Sequence, residues 1–193
     1  MDLNLVVKSQ RDYFNTDCTR DVEFRRNSLI KLYESINDSE EVIYAALKSD
    51  LGKTEQEAYM TEVGIVKESI RYAIKHIESW TKTKKVKTPM FLFPGKSRIV
   101  QEPYGVVLII AHWNYPILLS LVPLVSAIAA GNCAIIKTSK NCPYTSSIIA
   151  NIVNGVFDRK QIYVIDEAAR RLGRDDNLAR QSLGRGHLVE GLG

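Results

Sequence analysis

The chain has 193 residues, 45% of them hydrophobic and 25% charged, the ordinary balance of a globular fold. That balance excludes a collagen-like fibre, a disulfide miniprotein and disorder throughout. Its 26 basic and 22 acidic residues leave a net charge of only +4. The one lysine cluster, Lys82, Lys84, Lys85 and Lys87, has no aromatic residue interleaved, so it reads as a solvated connection and not a nucleic-acid site. Cys18, Cys133 and Cys142 form an odd set without a CxxC pair, and Met1-Asp2-Leu3-Asn4 lacks the basic start of a leader. A reducing cytoplasm is the expected compartment. Scattered histidines give no metal-ligand spacing, so no metal is expected.

In chain order, the pattern up to Trp80 is helical. Leu29, Leu32 and Ile36 mark one helix, and Asp38-x-x-Glu41 predicts the start of a second that carries Val42, Ile43, Ala46 and Leu47. Gly52 should stop it, since glycine tolerates the left-handed backbone of a helix end. Thr54-x-x-Glu57 is a capping box ahead of a longer helix. Tyr59, Val63, Val66, Ile70, Ile74 and Ile77 then form its apolar stripe, a surface another subunit could cover. Thr81 to Ser97, with Pro89, Pro94 and Gly95, reads as a surface excursion.

Beyond it, strands and helices alternate. Arg98–Gln101 is a short strand; Val106–Ile110 is continuously apolar, as for a strand covered on both faces. Tyr115-Pro116 opens a helix to Gly131, Cys133–Lys137 is a second buried strand, and Cys142-Pro143 opens a helix carrying Ile148, Ile149, Ile152 and Val153. Gln161–Asp166 is a third strand. This is the grammar of a parallel α/β sheet with right-handed crossovers. The long apolar stretch is interrupted by His112, Asn114, Pro116, Pro123, Gly131 and Asn132, which argues against a membrane span. From Ala168 onward there are five arginines, five of the eleven glycines and no lysine, a break in usage that reads as a foreign carboxyl end.

His112-Trp113-Asn114-Tyr115-Pro116 follows a buried strand at its carboxyl end, where parallel sheets bind ligands. There an asparagine can offer its N–H to a developing oxyanion, or simply cap the next helix. Glu102-Pro103-Tyr104-Gly105-Val106-Val107, Trp113-Asn114-Tyr115-Pro116, Ala129-Ala130-Gly131-Asn132 and Lys137 come in the order and spacing of the aldehyde dehydrogenase superfamily, and their forms resemble its short, class 3-like branch. Gly52 to Gly64, with Thr54, Glu57, Tyr59, Met60 and Glu62, resembles that branch too. The likeness runs from about Arg11 to Asp166.

The resemblance implies an incomplete Rossmann-like layer and the oxidation of an aldehyde to a carboxylic acid with NAD or NADP, in a dimer or tetramer. Asn114 matches the oxyanion-holding asparagine, Lys137 the lysine on the adenosine ribose, and Ile110 and Trp113 residues lining the coenzyme cleft. The family's Pro-Ser-Glu after that lysine is here Thr138-Ser139-Lys140. Lys140 cannot accept bonds from ribose hydroxyls and would favour a 2′-phosphate, so NADP should bind no worse than NAD. The family's nucleophilic cysteine and catalytic glutamate lie beyond the last residue, and Cys133 and Cys142 read as packing or capping residues. The 193 residues alone are therefore expected not to turn over. The alternative is a non-catalytic fragment that binds a nucleotide weakly or joins a full-length relative. An acyl-CoA or acyl-phosphate reductase relative would share the fold, but Trp-Asn-Tyr-Pro weighs against it. The expected divisions are 1–80 (helices), 81–105 (connection and oligomerisation arm), 106–167 (partial NAD(P)-binding βαβαβ) and 168–193 (atypical tail).

Overall fold

A computed structural model describes residues 3–165, so the expectations for the tail, 168–193, lie outside the described residues. Five helices come first: α1 (Leu3–Phe14), α2 (Val22–Asp38), α3 (Glu40–Leu51), the short α4 (Glu55–Ala58) and α5 (Gly64–Thr81). A two-stranded arm follows, β1 (Lys84–Val86) with β2 (Ser97–Ile99). The remainder alternates as β3 (Val106–Ile110), α6 (Pro116–Ala130), β4 (Cys133–Lys137), α7 (Pro143–Val156) and β5 (Ile162–Ile165). The sheet order is β3-β4-β5, parallel throughout, with Val106 to Ile110 in register with Cys133 to Lys137. The predicted α/β class, helices followed by a parallel sheet, is the observed one.

One face of this sheet carries the main core. Ile109, Ile136, Ile162 and Val164 pack with Leu121, Leu124 and Ile128 of α6 and with Ile149 and Val153 of α7. Outside that layer α5 packs on α2 and α6, and α3 on α7, so the first helices become an extra shell over the crossovers. Val63, Val66, Ile70 and Ile77 are fully buried there. The predicted stripe is thus already covered within the chain. Tyr59 leaves it, 44% exposed, because Tyr59–Val63 forms a π turn, with the Gly64 N–H bonding Tyr59 O. The wider turn carries one more residue than an α turn and brings Glu62 fully inside. A side chain at Gly64 would meet Tyr59 O at 2.9 Å, so a residue without one suits this turn.

The opposite face is covered only in part. Val6 and Val7 of α1 pack with Val106, Ile135, Tyr163 and Ile165, and Gln10 Nε2 donates to Ala134 O at 2.9 Å. At the carboxyl end of β3 this cover stops, leaving Leu108 59% and Ile110 69% exposed. The expectation of a strand covered on both faces is corrected here: among the described residues β3 is an edge strand, and Leu108 and Ile110 on this face are exposed.

Two local expectations also change. Asp38 ends α2 and does not cap α3, because the helical path breaks only at Ser39, whose N–H still bonds Ser35 O and Ile36 O. The lysine-rich connection contains a strand: Lys84 pairs with Ile99 and Val86 with Ser97, and the Ser97 N–H donates to Thr88 Oγ1 at 2.8 Å. Thr54 does cap α4, accepting the Glu57 N–H at 3.2 Å. Gly52 and Gly131 end α3 and α6 with positive φ, 69° and 86°. At Gly131 a Cβ would lie 2.8 Å from the Arg25 guanidinium, which is buried and donates to the carbonyls of Thr19, Arg20 and Ala129. Burial holds that guanidinium below the usual arginine range.

Candidate active site at the carboxyl edge of the sheet

The recurring sequence motifs divide between the two ends of the sheet. At the amino edge, the Gly105 N–H donates to Asn132 Oδ1 at 2.9 Å, and the Cys133 N–H donates to Gly105 O at 2.8 Å. Gly105 and Asn132 therefore set the register of β3 and β4. At the carboxyl edge, Ile110 and Lys137 are register partners, and the Ala111 N–H donates to Lys137 O at 3.0 Å. Ile110 is exposed and Lys137 half-buried, so an apolar wall and a cation stand side by side where β3 and β4 end.

The turn after each strand supplies the remaining predicted residues. After β4, Ser139 is half-buried: its carbonyl accepts from the Ser146 hydroxyl at 2.9 Å, and its own hydroxyl accepts the Asn141 N–H at 3.3 Å. Lys140 is exposed at the same turn. After β3, Trp113 is 44% exposed and the Asn114 side chain is open to solvent. Asn114 Oδ1 lies 3.1 Å from His112 Nδ1, a contact in which the ring nitrogen must be the donor. Its Nδ2 makes no hydrogen bond among the described residues, so the amide donors are left for something else.

Asn114 does not cap α6. Pro116 has no N–H; the Ile117 and Leu118 N–H groups donate to Glu62 Oε2 at 2.8 and 3.2 Å; Leu119 N–H donates to Tyr115 O at 2.9 Å. Every donor of the first turn is thereby satisfied. Glu62 Oε1 pairs with Lys53 Nζ at 2.6 Å, both side chains being within 9% of fully buried. Lys53 Nζ also donates to Asn114 O at 3.1 Å and stands 4.2 Å above the Tyr115 ring.

The N-terminus of α7 repeats the scheme. Pro143 has no N–H, Tyr144 and Thr145 donate to the Asp50 carboxylate at 3.3 and 2.7 Å, and the Ser146 N–H donates to Cys142 O at 2.9 Å. Cys142 is buried at the cap position; its side chain donates to Trp113 O at 3.3 Å instead of capping. Burial first, and then the charges of Asp50 and Glu62, push that thiol up to about 11 against the opposing pull of Lys53. Cys133, inside β4, is pushed up to about 12, chiefly by burial. Both therefore stay protonated, unlike activated nucleophiles.

Sequence reasoning missed Lys53 and Asp50 and gave Glu62 no role. A signal was present. Both helices open with Pro after Tyr115 or Cys142, neither of which is a good cap, so their donors had to be met from elsewhere. A separate apolar groove of about 730 Å³ lies between α5 and α6, lined by Tyr59, Met60, Tyr72, Trp80 and Val125 among others. It is not part of this edge. No helix among the described residues is long and apolar enough to cross a membrane.

A parallel layer with helices across it is the architecture of many nucleotide-binding α/β proteins, which take their ligands beyond the carboxyl ends of the strands. The sequence profile of the Aldehyde dehydrogenase family matches residues 1–174, and the chain belongs to that family. It is 51% identical over 154 residues to 4,4'-diaponeurosporen-aldehyde dehydrogenase of Staphylococcus aureus, covering 80% of this chain and 34% of the relative. It is 38% identical over 160 residues to aldehyde dehydrogenase family 3 member F1 of Arabidopsis thaliana, covering 83% and 33%. A substrate-bound state of Staphylococcus aureus AldH superposes with a TM-score of 0.84 at 46% identity, over 89% of this chain and 38% of that one. The chain spans about a third of the length of the curated relatives it matches. Family and class 3 affinity are as the motifs implied.

Proposed function

We propose that this chain supplies the coenzyme-facing wall and the oxyanion donor for NAD(P)-dependent oxidation of an aldehyde to a carboxylic acid. One observation supports the reading: Asn114 stands in the turn after β3 with amide N–H donors that make no hydrogen bond among the described residues, at the edge where Ile110 and Lys137 are register partners. An amide donor at that position stabilises the negative oxygen that forms when a nucleophile adds to an aldehyde. The coenzyme, when bound, accepts the hydride. Ile110 and Trp113 offer it an apolar surface, Lys137 a donor to the adenosine ribose, and Ser139 and Lys140 the approach to the 2′ position. With a cation at position 140, NADP should bind no worse than NAD.

The fit to a dinucleotide is partial. Pyrophosphate is commonly held at a helix N-terminus. Here Glu62 and Asp50 already occupy those of α6 and α7. The described residues thus provide a ribose anchor and an apolar wall without an open phosphate cradle, and the chain alone should bind the nucleotide weakly. It should also not turn over: Cys133 and Cys142 are buried, and burial pushes both thiols up, away from the activated thiolate the reaction needs. The crevice would then work together with further sequence carrying the nucleophile and a water-activating carboxylate, in an assembly of more than one copy.

Titrating NADP and NAD into the chain while following tryptophan emission tests this. A saturable change is expected that disappears in Trp113→Phe, survives in Trp80→Phe and weakens in Lys137→Ala. A response seated at Trp80, or none with either nucleotide, would remove the coenzyme reading. Aldehyde-dependent NAD(P)H formation by the chain alone would overturn the claim that it is only part of the site.

A further inference from the structure

Around Asn114, the side chain is loosely held while the backbone is not. Its carbonyl accepts from a buried ammonium, Lys53 Nζ, at 3.1 Å, and the same ammonium pairs with Glu62 at 2.6 Å and covers the Tyr115 ring at 4.2 Å. The other oxygen of Glu62 takes the first two free N–H groups of α6, at Ile117 and Leu118. Asn114 itself and the residues that follow it, Tyr115, Ile117 and Leu118, are thus attached to one ion pair, and that pair comes from the segment between α3 and α5, far away in sequence. Burying two charges is costly unless both are paired and hydrogen-bonded, and here each is. A helix cap alone needs no lysine. Asp50 caps α7 without one.

We infer that Lys53 and Glu62 are positioning residues for the Asn114 amide: the carboxylate fixes where α6 starts, and the ammonium fixes the peptide one turn ahead of it. The inference rests on the reading of Asn114 as oxyanion donor. The place of the Asn114 amide depends on its main chain being pinned, because among the described residues its side chain has no anchor other than the exposed His112. The π turn at Tyr59–Val63 belongs to the same device, since it is what brings Glu62 inward.

The test uses the isotope-labelled chain and its amide and indole resonances. Replacing both partners, Lys53→Met with Glu62→Gln, removes the charges but keeps a carbonyl oxygen able to accept the Ile117 and Leu118 N–H groups. The Asn114 carboxamide and Trp113 indole signals are expected to shift and broaden, while the amides of Ile162–Ile165 hold their positions. Lys53→Arg, which keeps charge and donor, should return the Asn114 signal most of the way. Unmoved Asn114 and Trp113 signals in the double variant, whatever its melting temperature, would overturn the inference. If that variant does not fold, a second measurement on the unaltered chain decides. Exchanging the Lys53 ammonium protons for deuterium should shift the Asn114 carbonyl carbon, and no shift would mean no bond. The functional reading fails separately. Shifts as expected with no Trp113 response to nucleotide would leave the positioning in place and remove the coenzyme role; the opposite pattern would remove the positioning alone.

Discussion

The N-termini of α6 and α7 solve one problem with the same grammar and different chemistry. Each begins with proline, passes its next two N–H groups to a carboxylate from the amino-terminal helices, and bonds the following N–H to its own cap carbonyl. The α7 cap, Asp50, is half-buried, and its carboxylate also receives the Thr145 hydroxyl at 2.7 Å. The α6 cap, Glu62, is fully buried and is balanced by Lys53. Near solvent a carboxylate can stand alone. Inside, it needs a counter-charge, and here the counter-charge also reaches the Asn114 carbonyl in the loop before α6. That difference separates a solvent-side cap from a buried, charge-balanced one, to which we assign the positioning of the Asn114 loop.

Glu62→Ala should have the largest effect. It strands the Lys53 ammonium in the interior and frees two N–H groups, for a loss of about 3–5 kcal/mol in denaturant unfolding of the chain. Asp50→Ala removes two N–H partners at a wetter site and should cost about 0.5–2 kcal/mol, the usual range for a lost cap. Equal losses would mean that burial does not distinguish the two caps. A Glu62 variant less harmful than the Asp50 variant would contradict the ion-pair account outright.

Much of the fold was legible because it depends on neighbours in sequence. Continuous apolar runs marked the strands, the spacing of Val63, Val66, Ile70 and Ile77 marked the long helix, and the glycines at 52 and 131, which take positive φ, marked two helix ends. Asn114, Trp113, Ile110, Lys137, Ser139 and Lys140 do gather at one edge, as parallel topology requires of residues just after β3 and β4. What stayed hidden acts across the fold. Glu62 and Ile117 are 55 positions apart, and Asp50 and Thr145 are 95 apart. No periodicity encodes such a pairing. Tyr59 misled because a π turn shifts the helical count by one residue. Leu108 and Ile110 misled because an apolar strand looks alike whether one face or two are covered; only the reach of α1 decides it.

The smallest effect should come from Cys142, which touches both caps: it occupies the cap position of α7 and donates to Trp113 O in the loop before α6. At about pH 8 its thiol, pushed up to about 11, is protonated and buried, so an alkylating reagent reaches it only when the α7 terminus opens. Asp50→Ala acts twice in one direction. It eases opening, and it removes a negative charge that helps to hold the thiol protonated. If opening becomes easier by ~1 kcal/mol, alkylation should quicken about fivefold, since ~1.4 kcal/mol is tenfold. Cys133, inside β4 and pushed up to about 12, lies outside both caps and should react at its original rate. Mass spectrometry of the two peptides over time separates the sites. Faster modification of both would indicate general unfolding, and unchanged modification of Cys142 would show that Asp50 does not hold the α7 terminus closed.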